Sequence, residues 1–171
     1  MQMRWWIQLV NLATCCYNMG TIWMTQLGWR LWAHVGRDEF PAYHRAWWFG
    51  VRGIQPVIFP SFILSTLGSF AQLRQRPARV PAWAAWLGAL LQVAAWVSTG
   101  AWWGRWQGQL ENVRREDGSL DPLYERILST HWARVALITA SGLVQIGITA
   151  RALPNATPDA DRAVETPASR Q

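Results

Sequence analysis

Residues 82–104 read AWAAWLGALLQVAAWVSTGAWWG: 23 positions without one Asp, Glu, Lys or Arg. A helix that crosses the hydrocarbon of a bilayer needs about 20 such residues, because it rises 1.5 Å per residue through roughly 30 Å. Three further stretches share this character: residues 5–29, 53–73 and 135–150, which are 25, 21 and 16 residues long. Between them lie Arg30 to Gly50, a short turn from Arg74 to Pro81, and a long connection from Arg105 to Thr130. The pattern predicts an all-α protein, a transmembrane four-helix up-down bundle over residues 1–153. Its spans fall near 5–29, 50–73, 82–104 and 131–150. Residues 154–171, rich in Pro, Ala, Thr and Asp without apolar periodicity, are expected to be a disordered tail.

The composition of the 171 residues agrees, with 51% hydrophobic and only 15% charged. Soluble domains carry roughly 25% charged residues, so two soluble domains, a disordered chain and a disulfide-built secreted domain are excluded. The mean hydropathy of −0.01 is low for such a protein because its 14 Trp and 16 basic residues, all Arg, score as polar. Indole rings gather where membrane meets water. On the four spans, Trp5, Trp6, Trp83 and Trp86 mark one face. Trp29, Trp32, Trp47, Trp48, Trp102, Trp103, Trp106 and Trp132 mark the other, leaving Trp23 and Trp96 at mid-depth.

Met1 to Arg4 followed by an apolar run has the look of a secretory leader. The run continues to Trp29, beyond the roughly 7–15 residues of a leader's apolar core, so an uncleaved first span is expected. Cys15 and Cys16 are neighbours within it and have no second pair to exchange with; two packed thiols are expected, and a disulfide-oxidase role is not. The second and fourth helices should begin before the membrane. Asp121-Pro122 with Glu125 is a helix start leading to about Ala150. Asp38-Glu39-Phe40-Pro41 leads through Tyr43 and His44 into the second span, where Pro56 and Pro60 should kink it. Arg74, Arg76 and Arg79, with Arg4 and Arg151, place both termini in the cytoplasm of a cell (inner) membrane protein.

Folded up and down, the chain brings His34, His44 and His131 to the face opposite the termini, where Arg30, Arg52, Arg105 and Arg134 end the spans. His44, Trp48 and Arg52 fall on one helical stripe, and Tyr124, Leu128, His131 and Arg134 on another. A polar pocket at the membrane boundary is one reading. His44 and His131 would move protons, Arg52 and Arg134 would hold an anionic oxygen, and Tyr43, Trp48, Arg105, Gln107 and Trp132 would wall a small lipophilic substrate. Simple anchoring of the bundle by Arg and Trp in the headgroups is the other. No cofactor is expected. A metal held by His34, His44 and His131 with Glu111 would need ligands from separate segments, since no HxH, HxxxH or HExxH spacing occurs. Haem fails for want of a histidine at depth within a span, His131 at a helix end being the only near candidate, and coupled transport for want of a mid-membrane carboxylate. Nucleic acid is not an expected partner; the bilayer is.

Gln8, Asn11, Asn18, Gln26, Gln55, Gln92, Ser98, Thr99, Ser141 and Gln145 are polar but uncharged positions suited to interhelical hydrogen bonds. Gly88, Ala89, Ala136, Ala140, Gly142 and Gly147 are small enough for close helix approach. Two blocks of sequence stand out beside these. One is Trp23-Met24-Thr25-Gln26-Leu27 with Phe40-Pro41-Ala42-Tyr43-His44, Pro56 and Pro60. The other is Ser98-Thr99 through Gln107 and Leu110 to Leu128-Ser129-Thr130-His131-Trp132-Ala133-Arg134. In these the chain resembles a family of uncharacterised bacterial integral membrane proteins with four helices, over most of residues 20–150. More distantly it is similar to the anthrone oxygenase-like membrane family, a likeness carried by Trp132 and Arg134. That similarity implies oxygenation of a polycyclic phenol without an obvious bound cofactor. The chain departs by having His131 where that family has Asn, and Gln107 where the nearer one often has a histidine. An amide does not titrate, so a base at that position is lost. Two functions thus stand side by side: an oxygenase- or isomerase-like enzyme acting on a small lipophilic substrate, or a non-catalytic scaffold binding a partner helix or lipid headgroups.

Overall fold

Helices form where the apolar stretches predict them. A computed structural model describes residues 2–48 and 53–153, and it is helical throughout apart from turns and loops. Helix α1 runs Gln2–Leu31 and passes through a 3-10 turn at Trp32–His34. Helix α2 is Phe40–Trp48, α3 is Gln55–Arg74 and α4 is Ala82–Ser98. A π-helical turn at Thr99–Trp103 joins α4 to α5, Gly104–Gln109, and α6 is Pro122–Ala152. Helices α1 and α4 each pack against both α3 and α6. Residues 154–171 and Arg52 lie outside the described residues.

Three helical stretches, Gln55–Arg74, Ala82–Gln109 and Pro122–Ala152, are long and apolar enough to cross a membrane. Helix α1, at 30 residues, has the length but carries more polar groups. Those groups sit on one stripe. Gln8, Asn11, Cys15, Asn18, Ile22, Thr25 and Trp29 recur every three or four residues, and all are buried. On α3 the buried positions are Phe62, Ser65, Ser69 and Gln72, while Val57, Ile63, Leu64, Leu67 and Phe70 face outward. The same inversion holds on α4, where Leu90, Val93 and Val97 are exposed around buried Gly88, Gln92 and Ala95. On α3 and α4 most buried positions are small or polar and most exposed ones large and apolar, the reverse of helices solvated by water.

The interior is tied by amides and hydroxyls. Asn11 Nδ2 donates to Gln145 Oε1 at 3.0 Å, and Gln72 Nε2 donates to Gln8 Oε1 at 2.8 Å. Asn18 Nδ2 donates to Ser65 Oγ at 3.0 Å, and Gln92 Nε2 to Ser141 Oγ at 3.1 Å. Each such bond is worth about 0.6–2 kcal/mol in a membrane interior. Gly88 and Gly142 lie at helix contacts, with a Cβ at Gly142 falling 3.1 Å from Met19 Sδ. Gly147 and Ala136 are instead exposed, so they do not serve the close approach expected of them. The closest approach is at Gly68, beside Asn11.

The helix starts are legible locally. The Asp121 side chain accepts from Leu123 N at 2.7 Å and Pro122 follows at the first helical position. At about 1.5 Å per residue the 31-residue α6 is roughly 46 Å long. The expected continuous second helix is broken. Helix α2 ends at Trp48, and the Ile54 N–H donates to the Trp47 carbonyl at 2.8 Å, a bond no uninterrupted helix makes. Gly53 permits this fold-back, since a Cβ there would meet the Trp47 oxygen at 2.9 Å. Pro56, rather than kinking a span, lies in the first turn of α3; Pro60 lies inside it. The π-turn has a similar signature: the Gly104 N–H donates to the Thr99 carbonyl, and a Cβ at Gly104 would approach that oxygen to 2.9 Å.

The connection from α5 to α6 folds over one end of the helices. Leu110 and Val113 from this loop pack with Trp29, Trp32, Phe40, Tyr124 and Ile127 into a buried cluster. Arg114 fastens the loop by donating to the Ala33 and Gly118 carbonyls, both at 2.8 Å. Gly118 turns the chain with a φ of 82°, in the left-handed region that costs glycine little.

Candidate functional site

Beneath that cluster the helices part around a cavity of about 260 Å³. Helix α1 contributes Thr21, Thr25 and Trp29 to its wall, and α2 contributes Trp47 and Trp48. Ile58, Phe59 and Phe62 of α3 face Trp96 of α4, and Thr99 and Gly100 of the π-turn form part of the rim. Arg134 and Ile138 of α6 complete it. The volume equals that of about nine liquid waters at roughly 30 Å³ each, room for a molecule of one or two rings. Phe59 and Gly100 are both exposed and both line the cavity, so it communicates with the outer surface between α3 and α4.

Arg134 is the one ionisable side chain on the described wall. It is only 8% exposed, and its Nε has no partner among the described residues. Its guanidinium sits 5.9 Å from the Trp103 ring centroid. The one ion pair between described side chains, Arg37 with Glu116 at 3.4 Å, is elsewhere and exposed. A cation–π contact supplies about 0.5–2 kcal/mol, whereas desolvating a guanidinium costs several kcal/mol. Arg134 is therefore poorly compensated by the described residues.

His131, one turn earlier on α6, is fully buried between Trp29, at 4.2 Å between ring centroids, and Trp103, at 5.9 Å. Its tautomer follows from Gln26. The Gln26 Nε2 donates to the Leu128 carbonyl at 3.2 Å, which turns Oε1 toward His131 Nδ1 at 2.6 Å. Nδ1 must carry the proton in that bond, leaving a free lone pair on Nε2 of the neutral ring. Nε2 has no hydrogen-bond partner among the described residues.

His44 belongs to the capping cluster. It stacks on Phe40 with ring centroids 5.3 Å apart, meets Trp32 edge-on at 5.3 Å, and bonds through Nε2 to Gln107 Oε1 at 3.1 Å. Burial holds its pKa below the usual imidazole value of 6.5, partly offset by the Gln107 bond. Gln107, at the position where the resemblance has a histidine, thus holds a histidine of α2. Between the two imidazoles lie Trp29 and Trp32, whose centroids are 5.5 Å apart, and neither imidazole lines the cavity.

The expected site residues therefore divide. Arg134 and Trp48 line the cavity, His131 packs behind Trp29, and His44 with Gln107 lies in the cap. Tyr43 and Arg105 are exposed. Trp132 is half-exposed, packed against Trp23 at 5.6 Å under Arg30. His34 is exposed, and among the described residues no three of His, Cys, Asp and Glu come together as metal ligands. Trp29, Trp32 and Trp103, assigned by depth to one end of the spans, are buried inside the protein. Gln26 was legible only as a packing amide, although its spacing of four from Ile22 and three from Trp29 on the buried stripe of α1 aims it inward. Comparison with protein-family models, curated proteins and solved structures found no match.

Proposed function

We propose that the chain is a multi-pass protein of the cell (inner) membrane, a four-helix up-down bundle with both termini in the cytoplasm, which binds a small lipophilic molecule in the cavity around Arg134. The observation that carries this reading is the aromatic cavity opening between α3 and α4, on a surface whose other exposed side chains are apolar. The polar faces of α1 turn inward, so α1 serves as the fourth span despite its lower hydropathy. Ligand reaches the site laterally from the bilayer, past Phe59 and Gly100. Binding is favoured over catalysis, because the described wall offers no proton-transfer group: Arg134 stays charged, and His131 and His44 stand behind Trp29 and Trp32.

The test is binding of naphthalene to the purified full-length chain in detergent, read by energy transfer from tryptophan. Saturable one-to-one binding is expected. In Gly100→Trp, affinity should fall by at least about tenfold, or 1.4 kcal/mol, with the melting temperature unchanged. Position 100 has open space around its missing Cβ, so the added ring narrows the cavity rim without a clash. Equal, unsaturable uptake by both proteins would contradict occupancy of the cavity.

A further inference from the structure

The geometry points to a specific ligand class: a small aromatic or polycyclic monoanion, a carboxylate or phenolate, bound with its charge on Arg134. This rests on the cavity reading above and goes beyond it by fixing the ligand's charge. Arg134 is 92% buried, taking its 8% exposure from the whole, and lines a wall that carries no acid among the described residues. The five residues between the lining positions Trp48 and Ile54 are Phe49, Gly50, Val51, Arg52 and Gly53, which add a cation to the sequence there and no carboxylate. All described acids lie at positions 38–39 and 111–125, in or beside the loops of the cap. Among the described residues the cavity thus has a standing positive charge and no internal counter-ion.

Its chemistry narrows the partner. One guanidinium matches one carboxylate through two parallel N–H···O bonds. A phosphate would call for further donors, and the chain has no lysine at all. The remaining wall is aromatic and aliphatic: Trp29, Trp47, Trp96, Phe59 and Phe62 suit a flat ring face. A volume of 260 Å³ holds a ring system and excludes the paired acyl chains of a phospholipid. Trp103 backs the guanidinium and keeps it in place when the anion leaves.

The experiment compares naphthalene-2-carboxylate with its uncharged isostere naphthalene-2-carboxamide, on the full chain in neutral detergent at pH 7. The carboxylate should bind about tenfold to a hundredfold more tightly, the range expected for a buried charge-assisted bond. Arg134→Gln should erase that preference while keeping carboxamide binding. Arg134→Lys, which keeps the charge but loses the fork, should fall between, and it carries the test should the glutamine variant fail to fold. Equal affinity for the two probes overturns the monoanion assignment and leaves the cavity reading standing. Failure of both probes to bind overturns both. Displacement of the carboxylate, but not the carboxamide, by added phosphatidylglycerol would make a lipid headgroup the anion and overturn the small-molecule class.

Discussion

Gly68→Leu is expected to destabilise the protein by about 3 kcal/mol or more, the scale of severe overpacking combined with a broken buried polar network. A Cβ at position 68 would stand 2.7 Å from Asn11 Cγ and 2.8 Å from its Cβ and Oδ1, closer than side chains approach. Asn11 cannot yield freely. It is fully buried, it donates to Gln145 at 3.0 Å and Ser69 at 3.4 Å, and its Oδ1 accepts from Cys15 Sγ at 3.6 Å. Displacing it strands the partners on α3 and α6, each a buried group losing its bond. Gly68→Ala should show a smaller loss, and combining it with Asn11→Ala should recover part of the steric component. The measurement is thermal unfolding in detergent followed by size-exclusion chromatography. Wild-type stability in Gly68→Leu would show that α1 and α3 do not meet here.

The second large effect concerns the tryptophans. Trp29→Ala removes a ring that is 1% exposed, packed on His131 at 4.2 Å, Trp32 at 5.5 Å and Trp47 at 6.2 Å. Truncating a buried indole costs about 3–5 kcal/mol, and at roughly 2–4 °C per kcal/mol for a chain of this size the melting temperature should drop by about 6–20 °C. Trp83→Ala, at a residue 62% exposed, should change it by no more than a degree or two, about the 0.5 kcal/mol of a surface substitution. The pair separates core indoles from interfacial ones under one protocol. Equal losses in both variants would refute the burial of Trp29.

These two residues also show how far the sequence could be read. Position along the chain sorted most of the tryptophans by depth, and depth alone says nothing of which side of a helix a ring is on. Trp29 and Trp32 share the three-and-four spacing that begins at Gln8, and that spacing marks them as inward-facing. Trp102 and Trp103 are adjacent, yet the first is exposed and the second buried, because the π-turn shifts the phase of the helix. Asp121-Pro122 announced the start of α6 because a cap is a local device. The break before α3 was missed because it depends on Gly53 folding back on Trp47, a contact between residues six apart that no helical template contains. Arg134 was singled out as an anion-holding residue, but its pairing with Arg52 assumed a continuous second helix. The grouping of His44 with His131 on one face said nothing of what lies between them. Both are buried, but the indoles of Trp29 and Trp32 lie between them.

The cavity requires α1 to cross the bilayer together with the three more apolar helical stretches. Protease-cleavable tags placed before Met1 and after Gln171 measure this directly in sealed membrane vesicles of known orientation. Four crossings require both tags to be cut from one and the same face, which the arginine distribution makes the cytoplasmic one, and both to be protected from the other. Cleavage of one tag from each face would mean an odd number of crossings, with α1 outside the hydrocarbon, and would contradict the bundle on which the cavity depends.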